Sequence, residues 1–128
     1  MGTRLVSYQG ARIDLAFPLQ ESRTTIGREG DNMIQLPHDK VSKHHAVILH
    51  NKSGWAIEDL DSTNGVIING TRRARAELKN MDMVKIGPYE FYFETGVPSD
   101  DWVPSHIIDM SSEVRQRTIP DDKQQKQP

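Results

Sequence analysis

The chain contains no cysteine, and that absence removes disulfide frameworks, thiol nucleophiles and thiolate metal sites together. A reducing compartment, the cytoplasm, is the expected setting. Aromatic residues are scarce, at 6%. Charge of either sign is not in excess: sixteen Lys and Arg stand against eighteen Asp and Glu, a formal net charge of −2. A protein that binds nucleic acid through bulk charge needs a basic excess or patch, so no direct nucleic-acid partner is expected. No apolar run approaches the roughly 20 residues of a membrane helix, and the opening Met1, Gly2, Thr3, Arg4 and Leu5 hold no signal-peptide core. No membrane partner is expected either. Hydrophobic residues make up only 35% of the 128 positions, a share that fits one domain carrying a polar extension.

The composition changes after about Gly96. Residues 99–128 include ten charges and many Gln, Ser and Pro. Trp102, Val103, Ile107, Ile108 and Met110 can dock a short stretch back onto the domain. From Ser111 onward the sequence buries too little to offset its ordering entropy. The reading is a domain over residues 1–98 and a mostly disordered polar tail or linker over 99–128, leading to other domains in a longer protein.

Within the first 98 residues the pattern is that of strands. Residues 5–8 and 11–17 alternate around Gln9 and Gly10. Short strands follow at 23–26 and at 33–36, the latter stopped by Pro37. Residues 45–50 and 55–60 flank a turn ending at Gly54; residues 66–68 precede Asn69 and Gly70; residues 83–86 and 89–94 flank Gly87 and Pro88. No window carries a helical stripe. Short strands with turn signals every eight to twelve residues describe a β-sandwich or barrel.

The loops carry an ordered set of elements: Gly27 with Arg28; Asn32 to Leu36; Ser42, Lys43, His44 and His45; Asp59 to Gly65, including Ser62, Thr63 and Asn64; and Asn69 with Gly70. Singly, each has an ordinary explanation. Gly27, Gly65 and Gly70 would supply positive φ in turns, and loop Ser and Thr usually bond nearby backbone. In order, they resemble the forkhead-associated (FHA) domain, whose signature runs Gly-Arg, Ser-x-x-His, Ser/Thr-x-Asn-Gly, Asn-Gly. The likeness covers about residues 3–95.

That resemblance implies an all-β, two-sheet β-sandwich of about eleven strands, FHA/SMAD-like, whose loops at one end bind phosphothreonine peptides. It implies that Arg28 and Ser42 contact phosphate, with Lys43 as a helper. Thr63 would position the phosphate-side loop, and Asn64 would bond the peptide backbone. His45 would be a buried brace, and Gly27, Gly65, Asn69 and Gly70 would shape loops. A threonine-bound phosphate carries about −1.5 to −2 charges and three acceptor oxygens. The forked donors of Arg28 and the hydroxyl of Ser42 suit it without any catalytic group. Lys40, Arg72 and Arg73 (with Arg75) would suit an acidic residue at the third position after the phosphothreonine; a solvated turn explains the arginines equally well. The preference for Thr over Ser is also implied, with no residue assigned to it.

Other chemistries find less support. His38, His44, His45 and His50 fall within thirteen residues, but no Cys or carboxylate spacing completes a metal site, so neither metal nor cofactor is expected. Ser42 and His45 with Asp14, Asp59 or Asp61 lack a nucleophile-elbow or oxyanion-hole motif, and no Gly-Lys-Ser/Thr loop exists. Catalysis is not expected. The expected function is a monomeric, phosphothreonine-dependent module that recruits a phosphorylated partner downstream of a Ser/Thr kinase. The alternative is a phosphate-independent FHA-like scaffolding domain. Thr118 has Arg115 and Arg117 upstream and Asp121 three positions on, which makes it a candidate phosphosite for the domain's own loops. Residues 1–98 hold twelve basic and twelve acidic side chains, a neutral balance that excludes a polyanion but not one phosphate.

Overall fold

A computed structural model describes residues 2–98, and every regular element among them is a strand. In chain order these are β1 (Gly2–Gln9), β2 (Arg12–Pro18), β3 (Arg23–Gly27), β4 (Ile34–Gln35), β5 (Ala46–Asn51), β6 (Gly54–Asp59), β7 (Val66–Ile68), β8 (Thr71–Arg73), β9 (Arg75–Leu78), β10 (Asp82–Ile86) and β11 (Tyr89–Val97). They form a six-stranded sheet, β2-β1-β11-β10-β7-β8, and a five-stranded sheet, β4-β3-β5-β6-β9. All pairings are antiparallel except β3 with β4. The two-sheet, eleven-stranded architecture is the one the motif resemblance implies. The candidate phosphosite Thr118 and the apolar stretch from Trp102 to Met110 lie outside the described residues.

The alternating residues of both sheets meet between them. Leu5, Ile26, Ile48, Ile57, Val84, Ile86, Phe91 and Phe93 are almost wholly enclosed in one core cluster, each contributing about 1.5–3 kcal/mol by burial. Phe17 meets Phe91 edge-on at 5.9 Å, and Trp55 meets Phe93 at 5.6 Å. Two strands escape the sequence pattern, β8 and β9. All three residues of β8 are exposed, so it carries no apolar signal. In β9 only Ala76 and Leu78 face the core, between Arg75 and Glu77. The arginine-rich segment is therefore strand on both sides of Ala74.

Strand direction decides where the loops gather. β3 ends and β5 begins at one end of the sandwich, where β6 also ends and β7 begins. The β10–β11 turn joins them: a Cβ on Gly87 would lie 3.0 Å from a Val41 methyl. β1 pairs with β11 so that Gly2 faces Val97, and both strands reach the opposite end there. Among the described residues no helix is long and apolar enough to cross a membrane.

Candidate functional site

The loop end is built by three tight connections. The first is between the β3–β4 loop and the segment before β5. Arg28 and Glu29 donate their amides to the carbonyls of Ser42 (2.9 Å) and Lys43 (3.3 Å). Asn32 donates from Nδ2 to the carbonyls of Glu29 and Lys43, both at 2.8 Å, and its Oδ1 is enclosed with no partner among the described residues. Gly27 is required here for space. A Cβ on it would lie 2.2 Å from the Lys43 carbonyl oxygen and 2.7 Å from Asn32 Nδ2. This corrects the expected reason for that glycine: positive φ occurs at Gly65 and Gly70 but not at Gly27.

The second connection is His45, which has no exposed surface. Its Nδ1 accepts the Ser42 amide at 3.0 Å, so Nε2 carries the proton and donates to the Gly65 carbonyl at 2.8 Å. The ring thereby ties the Ser42 loop to the β6–β7 loop. Asp59 and Ser62 supply the third connection. Asp59 Oδ1 accepts from the Ser62 amide at 3.1 Å and from its hydroxyl at 2.5 Å, and Ser62 Oγ accepts the Gly65 amide at 2.9 Å. Asn32 and Ser62 stood within the motif elements without a role. Their signal in sequence is only that of short polar residues in loops, because what they bridge is set by the fold.

Arg28, Ser42, Lys43, Thr63, Asn64 and Lys40 line one open hollow of about 560 Å³, with Val41, Leu60, His44 and Asp39. Arg28 donates from Nε to the Val41 carbonyl at 3.0 Å, which leaves its terminal nitrogens for a ligand. Ser42 Oγ accepts the Thr63 amide at 3.1 Å, so its own proton is available to an acceptor. Asn64 donates from Nδ2 to the Lys40 carbonyl at 2.8 Å, keeping Oδ1 and one N–H. Three cations and one carboxylate thus face the hollow. A second hollow of about 430 Å³ shares Lys40 and Asn64 with it and continues over Ile67, Lys85 and Pro88, flanked by His38 and Glu90.

Other expected site residues sit elsewhere. Arg72 lies against Gly65, its Nε 2.3 Å from where a Cβ would stand, and Arg75 is ion-paired with Glu58. Neither hollow is lined by Arg72, Arg73 or Arg75. Asn69 and Gly70 turn β7 into β8 at the end of β7 away from Gly65. Asn69 is bonded there to Asp82 (3.0 Å) and to the Met83 amide (2.9 Å), so any support they give the binding loops passes through β7 and β10.

The four clustered histidines go four ways. His38 Nδ1 accepts the Lys40 amide at 3.0 Å, and His45 is the inner brace. His50 stacks on Trp55 at 3.8 Å. His44 pairs through Nε2 with Asp31 at 2.9 Å, both side chains largely exposed. The hydrogen bond from His44 is the main influence that holds the Asp31 carboxyl below its ordinary value. Neither ring nitrogen of His45 meets the Ser42 hydroxyl, so a nucleophile–base pair is not formed between them.

A model of the FHA domain family matches residues 24–87, half of the chain. The chain belongs to the FHA family. The FHA domain's relatives here include the transcriptional regulatory protein EmbR of Mycobacterium tuberculosis, 42% identical over 79 residues, which are 61% of this chain and 20% of EmbR. FhaB of the same organism is 35% identical over 83 residues, 65% of this chain and 50% of FhaB. The chain therefore spans between a fifth and a half of these relatives' lengths. The solved structure of Mycobacterium tuberculosis EmbR with a low-affinity phosphopeptide superposes with a TM-score of 0.67 at 36% identity, over 73% of this chain and 24% of that one.

Proposed function

We propose that this FHA domain binds phosphothreonine-containing segments of partner proteins and so recruits targets marked by a Ser/Thr kinase. The observation that carries it is the convergence, in one hollow, of the Arg28 terminal nitrogens and the Ser42 hydroxyl. Lys43 and Lys40 add charge around them. A dianionic group with three acceptors satisfies this donor set, and no polyanion is needed. Asn64 on the rim offers an amide pair that holds an extended peptide by its backbone. Val41 and Leu60 are the apolar linings against which a threonine methyl fits. The phosphopeptide in the EmbR structure supports the reading. The domain acts by binding, as one cytoplasmic module of a longer protein, with residues 1–98 as its folded part.

The test is a titration of the full chain with a fluorescent phosphothreonine peptide library and its unphosphorylated copy. Binding of the phosphorylated form alone is expected. Equal affinity for both would instead support the phosphate-independent scaffold. Ser42→Ala removes one hydrogen bond to a charged oxygen and is expected to weaken binding by about tenfold.

The second hollow lies alongside the first, and an extended peptide places its third residue about 10 Å beyond the phosphothreonine. Lys40 and Lys85 line that hollow, so an acidic residue C-terminal to the phosphothreonine is favoured. Replacing Lys85 by Glu is expected to cut that preference by about two- to fivefold, the scale of an exposed ion pair, when acidic and basic library members are compared.

A further inference from the structure

We infer that the outer face of the six-stranded sheet beside Asn64 reads two adjacent acidic side chains of the bound segment, the third and fourth after the phosphothreonine, and that Arg72 takes the fourth. This specificity role for Arg72 rests on the phosphothreonine reading given above. Strand register puts the parts in one row. Lys85 of β10 stands opposite Ile67 of β7, and Ile67 opposite Arg72 of β8. Val66 and Ile68, on either side of Ile67, belong to the core, so the half-buried Ile67 faces outward with Lys85 and Arg72 beside it. Neighbouring strands lie about 4.8 Å apart, which sets Lys85 and Arg72 about 10 Å from each other across Ile67.

Lys85 and Ile67 line the second hollow, and Arg72 flanks the same floor from the other side. Its Nε, Cζ and Cδ lie 2.3, 2.8 and 2.9 Å from where a Cβ on Gly65 would stand. The side chain therefore leans along β7 toward Asn64. Among the described residues its guanidinium meets no acceptor. The neighbouring arginines are placed otherwise. Arg73 stands opposite Val66, on the core side of the ladder, and Arg75 is ion-paired with Glu58. Lys85 has Glu90 opposite it on β11. β8 is the edge of the sheet, so Arg72 has Ile67 as its one ladder neighbour and no carboxylate beside it in the row.

An extended segment meets this row in sequence. It leaves the first hollow over Asn64 and Lys40, which both hollows share, and its third residue stands over Lys85. Successive side chains of an extended chain point to opposite sides. With the backbone lying along Ile67, the fourth side chain therefore points across it to Arg72. A guanidinium takes a carboxylate through two donors of its planar fork. Because the Arg72 side chain already rests on Gly65, it gives up less rotamer freedom on pairing than a side chain free in solvent.

A double-mutant cycle on the full 128-residue chain separates this role from mere packing over Gly65. The parent and Arg72→Gln, which keeps a stem and loses the charge, are titrated with four labelled phosphothreonine peptides. These carry Glu or Gln at the third and at the fourth position. The parent is expected to bind Glu at the fourth position about two- to fivefold more tightly than Gln, the scale of an exposed ion pair. Arg72→Gln should lose that preference, keep the one at the third position, and bind the peptide with two Gln within twofold of the parent. Arg72→Glu should prefer Lys at the fourth position. An equal loss for all four peptides in Arg72→Gln, or no fourth-position preference in the parent, overturns the assignment. A parent that binds unphosphorylated copies equally well fails differently: it overturns the phosphothreonine reading itself.

Discussion

Replacing Arg28 with alanine is expected to weaken phosphothreonine-peptide binding by about 10- to 150-fold, from the roughly 1.5–3 kcal/mol carried by hydrogen bonds to a charged group. The arginine is half-buried, and among the described residues its side chain bonds only the Val41 carbonyl, from Nε. The fold therefore loses little, and Tm should fall by only a few degrees. Arg28→Lys keeps a charge but loses the Nε anchor and the planar fork, so it should recover only part of the affinity. Fluorescence anisotropy with one labelled peptide reads all three proteins. Unchanged affinity in Arg28→Ala would mean that partners dock without phosphate in this hollow.

The second large effect is on stability. His45→Ala removes a fully enclosed ring and leaves the half-buried Ser42 amide and the buried Gly65 carbonyl without that partner. Each orphaned group costs about 1–3 kcal/mol, and the emptied ring volume adds a cavity. A loss of about 3–5 kcal/mol is expected, a large share of the roughly 5–15 kcal/mol that holds a domain together. His45→Asn should fall between, since its Oδ1 can stand where Nδ1 stands and keep the Ser42 bond while the Gly65 bond is lost. Urea denaturation measures the series. If His45→Ala unfolds at the same urea midpoint as the parent, the ring does not brace these loops.

The strands that bound the loops were legible because their residues alternate: residues 66–68 and 89–94 read as strand directly from the sequence. β8 and β9 were not, since Arg72, Arg73 and Arg75 mask a ladder whose inward members are only Ala76 and Leu78. The site residues were legible as an ordered motif, but their physical reasons were not. Gly27 looked like a turn residue, and the fold shows atoms of Lys43 and Asn32 filling the place of its side chain. Asn32 and Ser62 bridge backbone groups that are distant or adjacent only once the loops are set. The arginines at 72–75 look like a patch in one dimension. The hairpin turns Arg72 onto Gly65 and pairs Arg75 with Glu58.

The partnership of β1 with β11 also governs how the protein is made. Its six-stranded sheet places β1 beside β11, so the β1–β2 hairpin leaves the ribosome long before its neighbour exists. Some eighty residues separate Gln9 from Tyr89, about 4–16 s of synthesis. Throughout that interval β1 presents an open edge around Leu5 and Val6, the kind of edge through which nascent chains aggregate. Ribosome-associated holdases would therefore act on the β1–β2 hairpin, and the finished domain would no longer offer them a grip.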